Sequence, residues 1–170
     1  MDIVKEIKQD GKVIKIFRDV EVDSPQDADA FGKMIYTSTK YLLGGEQLTS
    51  EELDSIENNV DNICLPVYAY VHGSVQLNTT GFNCKWDSGQ CGLVYTTIED
   101  ALYEFSELEM TPQLLEKIKQ RLVGDVETFN QYLNGEVYGY TVTGADGEII
   151  DECYQYYGLE HCIEAAQENL

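Results

Sequence analysis

The residues best suited to chemistry lie in one stretch of the chain, residues 65–95. They include the only tryptophan and one of the two histidines, and they are His72, Cys84, Trp86, Asp87 and Cys91. A thiol enzyme needs a cysteine nucleophile, a histidine base and a third group that orients the base. Because the stretch contains all three types, one hypothesis is a small cytoplasmic enzyme with its site on the 72–91 loop.

The residues after Cys91 argue against nucleophilic catalysis at that position. A reactive cysteine has a lowered pKa, often because it lies at the N-terminus of a helix. Residues 92–95, Gly-Leu-Val-Tyr, have the composition of a strand instead. We therefore expect no helix dipole at Cys91, and we prefer a function that is not enzymatic.

The cysteine spacing does not predict a metal site. Cys84 and Cys91 are seven positions apart, and Cys153 and Cys162 are nine apart. Structural zinc sites usually place about two to four residues between paired ligands. Since no phosphate-binding loop or EF-hand loop occurs either, we expect no metal and no cofactor.

Trp86, next to Asp87, has two interpretations. Its side chain can fill the interior of the loop, with the indole N–H donating to a backbone carbonyl. Alternatively, it can anchor a protein partner, because tryptophan is enriched among the residues that dominate binding at interfaces. Taken by itself, the residue favours the first interpretation, and the partner anchor is the alternative.

The first third of the chain has weaker structural signals than the rest. Residues 12–22 are rich in β-branched residues and predict a strand, and Pro25 begins a turn or a short helix. Residues 32–43, closed by Gly44-Gly45, fit two short strands, one bent strand or a helix.

Residues 49–66 predict a helix and its end. Thr49 and Glu52 form a capping-box pattern. The apolar positions that follow have helical spacing, and they are Leu53, Ile56, Val60 and Ile63. Pro66 is expected to end any helical tendency.

The remaining elements have clearer boundaries. The sequence predicts strands over residues 67–75 and 92–95, helices over residues 98–106, from 112 to about 133 and over 159–168, and a hairpin of residues 136–143 and 148–156. The helix from Pro112 has an apolar face of Leu115, Ile118, Leu122, Val126, Phe129 and Leu133. Together these elements predict an α+β fold, a single compact domain over residues 1–170 with a mostly antiparallel sheet and three to four helices.

The formal net charge of −20 is unevenly distributed. Residues 1–45 contain seven basic and eight acidic residues, whereas residues 46–170 contain four basic and 23 acidic residues, a net charge of −19. Such a surface repels nucleic acid and anionic membranes, and it attracts basic proteins over a Debye length of about 8–10 Å. Solubility alone is the simpler explanation, but a charge this large favours a basic protein partner.

No targeting signal is recognisable in the sequence. No apolar run approaches the roughly 20 residues that a membrane-spanning helix needs. The first eight residues, Met-Asp-Ile-Val-Lys-Glu-Ile-Lys, lack the apolar core of a signal peptide. We therefore expect a cytoplasmic protein without membrane contact.

The central stretch resembles a group of small proteins encoded by phages and mobile elements. The shared pattern covers residues 65–68, His72, residues 79–90 with Trp-Asp-Ser-Gly-Gln at their end, and residues 92–95. The similarity extends over residues 126–140 and, more loosely, over residues 151–158. The resemblance implies an accessory gene of a mobile element, and therefore a bacterial host cell, but it carries no activity.

By charge, the chain looks like the DNA-mimicking antirestriction and anti-CRISPR proteins. Nucleases bind DNA through grooves rich in lysine and arginine, which a dense carboxylate surface can occupy. The hypothesis is therefore an inhibitor that binds a basic nucleic-acid-binding host protein, a CRISPR effector or restriction enzyme, without binding nucleic acid directly. The expected partner-binding residues are Trp86, Asp87, Glu99, Asp100, Glu104, Glu107, Glu109, Asp125, Glu127, Glu148, Asp151 and Glu152.

Overall fold

In the computed structural model of the chain, the described residues are 2–26, 30–37, 43, 48–84 and 86–168. In chain order their elements are β1 (Ile3–Gln9), β2 (Lys12–Arg18), β3 (Lys33–Tyr36), α1 (Ser50–Glu57), β4 (Asn62–His72), β5 (Ser74–Asn78), β6 (Ser88–Thr97), α2 (Ile98–Glu104), α3 (Pro112–Leu133), β7 (Val137–Thr143), β8 (Ile149–Tyr157) and α4 (Leu159–Glu168). The strands form two antiparallel four-stranded sheets. The predicted α+β class, the antiparallel pairing and the number of helices are confirmed.

The chain divides into two compact units. Unit 1 comprises Met1–Ser24 and Gln131–Leu170, and unit 2 comprises Pro25–Asn130. Each unit contains one of the sheets. The expectation of one domain over residues 1–170 stays a prediction.

Unit 1 is built on the sheet with the strand order β1-β2-β7-β8. Helix α4 covers one face of this sheet, and its Cys162, Ile163 and Ala166 lie in a core with Ile14 and Val142. The hairpin of β7 and β8 closes where the backbone N–H of Gly144 donates to the carbonyl of Glu148 at 2.9 Å. This hairpin and the final helix agree with the prediction.

Unit 2 is built on the sheet with the strand order β3-β6-β4-β5. On one face, Leu53 of α1 packs against Ile35 and Leu93. On the other face, Phe129 of α3 stacks on Tyr36 with ring centroids 6.5 Å apart. The buried row of α3 is Leu114, Ile118, Leu122, Val126 and Phe129. The predicted face is therefore confirmed at four positions, whereas Leu115 and Leu133 are only partly buried and Leu114 is buried instead.

The predicted helix from Thr49 begins as expected and ends early. The Glu52 carboxylate accepts the backbone N–H of Thr49 at 2.8 Å, and the Thr49 side chain accepts the N–H of Glu52, which completes the capping box. The hydrogen bonds that the Glu52 carboxylate accepts from the backbone N–H and from the hydroxyl of Thr49 lower the pKa of the Glu52 carboxyl. The helix ends at Glu57 and is capped by Asn58, whose backbone N–H and side chain both donate to the Asp54 carbonyl.

Val60 and Ile63 were predicted to lie in this helix and Pro66 to end it. Both predictions were wrong. Val60 is exposed, whereas Ile63 is buried in β4. Pro66 lies within β4, opposite Leu93 of β6. A proline fits there because β5 pairs with β4 only from Tyr68 onward, so the missing N–H breaks no ladder on that side.

The first third of the chain is only partly described. Strand β2 ends at Arg18, before the predicted residue 22, and Pro25 lies in a turn. Strand β3 accounts for Lys33–Tyr36. The expectations for residues 38–42 and for Gly44-Gly45 fall outside the described residues.

Candidate protein-binding surface

Helix α2 and the residues after it form an acidic segment, defined here as residues 98–109. The helix begins at Thr97, whose side chain accepts the backbone N–H of Asp100. Its inner side carries the fully buried Ala101. The residue that caps its C-terminus, Phe105, is partly buried and contacts Phe31 edge to face, with ring centroids 6.0 Å apart. Because Ala101 and Phe105 point inward, the acidic positions of the helix face outward.

The five candidate acids of the acidic segment are all exposed, and they are Glu99, Asp100, Glu104, Glu107 and Glu109. None of them forms a salt bridge within the described residues. The sequence offers no lysine or arginine between residues 86 and 116. Their charge is therefore available to a partner.

Two large apolar side chains are exposed within the same segment. Tyr103 is 87% exposed and Leu108 is 95% exposed. The chain turns at Ser106, where φ is 53°. Beyond the turn, the backbone N–H of Glu107 donates to the Leu102 carbonyl at 2.9 Å. The sequence analysis names neither residue, because residue type alone does not show whether a single apolar side chain is buried or exposed.

Asp125 lies in a different environment from these acids. Its side chain is 17% exposed, and its two oxygens accept from the Gly32 backbone N–H at 2.9 Å and from the Arg121 Nε at 3.2 Å. Burial raises the pKa of the Asp125 carboxyl, while Arg121 and the Gly32 N–H act in the opposite direction. Asp125 therefore holds the start of β3 against α3 and contributes less to an exposed acidic surface than the sequence suggested.

The other acidic candidates are divided between the two units. Glu127 is exposed on α3, while Glu148 and Glu152 are exposed in unit 1. Asp151 is partly buried, and its Oδ2 accepts the hydroxyl of Tyr140 at 2.7 Å. This hydrogen bond and burial raise the pKa of Tyr140. The acidic segment is thus the part of unit 2 in which five exposed acidic candidates lie within twelve consecutive residues.

The central loop places three of its reactive residues in one contact chain. The Asp87 Oδ2 lies 3.8 Å from the Cys84 Sγ and 3.8 Å from the His72 Nδ1. The Ser88 hydroxyl donates to the Cys84 carbonyl, which further fixes the loop. In this order the aspartate lies between the thiol and the imidazole, whereas a thiol enzyme needs the imidazole next to the thiol.

Trp86 points away from the loop interior. Its side chain is 89% exposed, so the interpretation as a structural plug was wrong. The neighbouring Lys85 falls outside the described residues. Tyr70 and His72 share one face of β4, where their rings stack with centroids 6.2 Å apart, and the Tyr70 ring also lies 5.6 Å from the Phe82 ring, centroid to centroid.

Cys91 is a core residue of β6. Its side chain has no exposed surface, and its thiol lies 3.4 Å from the Val67 carbonyl. Burial raises the pKa of Cys91 to about 12. The strand expected at residues 92–95 is confirmed as part of β6, so no helix begins after this thiol.

Neither a metal site nor a membrane-spanning helix is present among the described residues. No group of three or more His, Cys, Asp or Glu side chains is arranged to hold a metal ion there. In the same part of the chain, every helix is too short or too polar to cross a membrane.

The chain was compared with protein-family models, curated proteins and solved structures, and none of them matches it.

Proposed function

We propose that the chain is a non-enzymatic inhibitor that binds a basic nucleic-acid-binding protein of a bacterial host cell and occupies its nucleic-acid groove as a DNA mimic. The target class is a CRISPR effector or a restriction enzyme, and the binding takes place in the cytoplasm. One observation carries the proposal: the acidic segment presents five exposed carboxylates without a cationic partner among the described residues, together with two exposed apolar side chains.

The charge of the acidic segment supplies attraction and orientation. A groove that binds DNA uses lysine and arginine to neutralise phosphates, so it is attracted to other dense negative charge. Glu99 and Asp100 also lie in the first turn of α2, where the helix dipole favours negative side chains. Binding of this kind weakens as salt screens the charges.

The exposed apolar residues supply affinity that charge alone does not give. Interfaces gain most of their binding energy from a few large side chains that become fully buried. Tyr103 and Leu108 lie among the acids, and Trp86 lies on the loop of the same unit. We expect Tyr103 and Leu108 to bind at the centre of the interface and Trp86 to add shape specificity.

The experiment compares two variants with the same change in net charge. The first variant is Glu99→Gln, Asp100→Asn and Glu104→Gln in the acidic segment. The control is Glu160→Gln, Glu164→Gln and Glu168→Gln, three exposed acids of α4 that are not among the candidates. Each protein is immobilised and exposed to a bacterial lysate at about 50 mM and about 500 mM salt, which give weak and strong screening.

We expect the wild type and the α4 control to capture a DNA-binding protein at low salt only. The acidic-segment variant should lose that protein, because its charge pattern is removed where binding occurs. If both triple variants lose the partner equally, the net charge rather than the acidic segment drives binding, and the site assignment is wrong.

The enzymatic alternative and the proposed inhibitor differ in the expected effect of substituting Cys84. Cys84→Ala would abolish an activity that uses the Cys84, Asp87 and His72 contact chain, but it should leave charge-driven binding unchanged. Loss of partner capture in Cys84→Ala, with an unchanged circular dichroism spectrum, would favour a functional thiol over the acidic segment.

A further inference from the structure

One side of α3 lines an open pocket within unit 2. Its contributions are Arg121, Gly124, Asp125 and Thr128, whose spacing of three and four residues puts them on the same side of a helix. The pocket volume is about 490 Å³, within the range of roughly 300–1,000 Å³ that is usual for small-molecule sites. The pocket therefore has the size that a small organic ligand needs.

Gly124 leaves open space in this part of α3. A Cβ added there would meet nothing within 4 Å, so a longer side chain at this position would occupy the pocket. The segment before β3 contributes the apolar side chains of Pro25, Ala30 and Phe31 to the lining. A ligand in the pocket would therefore find both free volume and an apolar surface.

Arg121 brings a cationic group to the pocket, and most of its hydrogen-bond donors are unused. Its Nε donates to the Asp125 Oδ1 at 3.2 Å, and its guanidinium lies over the Phe31 ring, 5.8 Å from the centroid. The two terminal nitrogens of the guanidinium have no acceptor in the part of the chain that the structure describes. Because a guanidinium has five N–H donors, the other four remain for water or a ligand.

The contacts of Arg121 hold its side chain in place before any ligand binds. Asp125, which restrains the Nε, is itself fixed because its Oδ2 accepts the Gly32 backbone N–H at 2.9 Å. Phe31, which lies under the guanidinium, packs edge to face on Phe105. A group that is already held loses less conformational freedom on binding, so this arrangement favours affinity for a ligand.

Gln26, another polar residue of the lining, already uses its amide within the protein. Its Oε1 accepts the Met34 backbone N–H at 2.9 Å, and its Nε2 donates to the Gly32 carbonyl at 3.3 Å. Hydrogen bonds in which one partner is charged are stronger than those between neutral groups. The Arg121 guanidinium is therefore the group that sets the position of a ligand.

The charges around the pocket favour an anion with a single charge. A guanidinium matches the planar shape of a carboxylate, to which it donates two parallel hydrogen bonds. Asp125 lies beside the guanidinium, and burial and the charge of Glu104 both raise the pKa of the Asp125 carboxyl. These two acids repel a dianion such as phosphate about twice as strongly as a monoanion. A monocarboxylate is therefore the better match.

We propose that this pocket binds a small aromatic monocarboxylate. The carboxylate accepts from the terminal nitrogens of Arg121, and the aromatic ring packs against Phe31 and the apolar residues beside it, in the space that Gly124 leaves open. This site is separate from the exposed carboxylates of the acidic segment, so the proposal does not depend on partner binding by that segment.

The test uses benzoate as the probe, benzamide as a neutral compound of the same shape, and inorganic phosphate as the dianion. Each is titrated into the full chain labelled for NMR, and the shifts of the backbone amides locate the site and give the dissociation constant.

Two variants remove the two features on which the site depends. Arg121→Gln removes the guanidinium, and Gly124→Leu fills the open space. The control is Lys119→Gln, which removes the same charge from α3 at a residue outside the lining. Circular dichroism checks the fold, and Gly124→Ala replaces Gly124→Leu if the larger side chain disturbs it.

We expect benzoate to shift the amides of Phe31, Gly124 and Asp125 with a dissociation constant of about 1 mM, a reasonable value for so small a ligand. Benzamide and phosphate should bind at least about tenfold more weakly, because each lacks the single negative charge of the carboxylate. Arg121→Gln and Gly124→Leu should weaken benzoate binding by about tenfold or more, and Lys119→Gln should leave it unchanged.

Several outcomes would overturn the proposal. One is the lack of a saturable shift at these residues up to about 20 mM benzoate, well above the expected dissociation constant. Equal binding of benzamide or phosphate would show that the carboxylate is not what the pocket recognises. Unchanged benzoate binding in Arg121→Gln or Gly124→Leu, or an equal loss in Lys119→Gln, would show that the site is not this pocket.

Discussion

The thiol of Cys91 titrates differently in the folded and unfolded chain. Its pKa is 9.0 in the unfolded reference and about 12 in the folded protein, because burial penalises the thiolate. The folded state holds the proton more tightly, so this contribution to stability is fully present below pH 9.0 and is lost as the pH rises toward about 12.

We therefore expect the free energy of unfolding to fall by about 1 kcal/mol between about pH 8 and about pH 10 through this group. Chemical denaturation at the two pH values measures the change. Cys91→Ser keeps a small side chain whose hydroxyl does not ionise in this range, so it should show a smaller loss. Equal losses in the two proteins would contradict the account of Cys91.

Thr96 contributes a buried hydroxyl without a hydrogen-bond partner among the described residues. The residue is 1% exposed, and its Oγ1 is the buried side-chain oxygen left unsatisfied in that part of the chain. An unsatisfied buried polar group costs about 1–3 kcal/mol. Thr96→Val has nearly the same shape and should raise the free energy of unfolding by about 1 kcal/mol. A lower midpoint of urea denaturation in Thr96→Val would mean that the hydroxyl has a partner.

At the scale of elements, two glycines of unit 2 have opposite steric environments. A Cβ added at Gly92 would overlap the Ile35 carbonyl oxygen of the neighbouring strand β3. A Cβ added at Gly124 on α3 would meet nothing within 4 Å, because this residue lines an open pocket of about 490 Å³.

The same substitution should therefore change stability in opposite directions at the two sites. Gly92→Ala forces β3 away from β6 and should destabilise the chain by about 2 kcal/mol or more. Gly124→Ala removes a glycine from the middle of a helix and should stabilise it by up to about 1 kcal/mol. Thermal unfolding of the two variants measures this contrast, and a stable Gly92→Ala variant would show that the two strands are not in close contact.

Elements with explicit end signals could be predicted from the sequence. The capping box at Thr49, the proline at the start of α3 and the turn between β7 and β8 all fix the chain through local contacts. The sequence did not show that the helix stops before Val60 and Ile63. A few apolar residues fit helical spacing and a turn followed by a strand equally well.

The missed strand β1 had a readable signal. Asp10 and Gly11 connect β1 to β2 with φ values of 52° and 77°. An Asp-Gly pair with both residues at positive φ is a favoured two-residue hairpin turn. The hairpin was overlooked because the flanking strand is half charged, as an exposed edge strand can be.

At the scale of the whole molecule, the net charge could be predicted from the sequence. Which acidic side chains are exposed to a partner could not. Glu104 and Asp125 are both acidic residues of helices, and the sequence alone does not show which of them is exposed. Glu104 is exposed, whereas Asp125 is held by Gly32 and Arg121. This difference depends on which side of each helix faces the sheet, and long-range packing decides it. The exposure of Trp86 was unpredictable for the same reason.

Under the proposed function, the acidic segment takes the place of nucleic acid on a basic protein. The most direct measurement is a competition: the partner captured on the immobilised chain at low salt is challenged with increasing amounts of duplex DNA. We expect DNA to release the partner in a concentration-dependent manner. The acidic-segment variant should capture no partner, and the α4 control should behave as the wild type. A partner that stays bound at saturating DNA, or the capture of no salt-sensitive partner at all, would contradict the account.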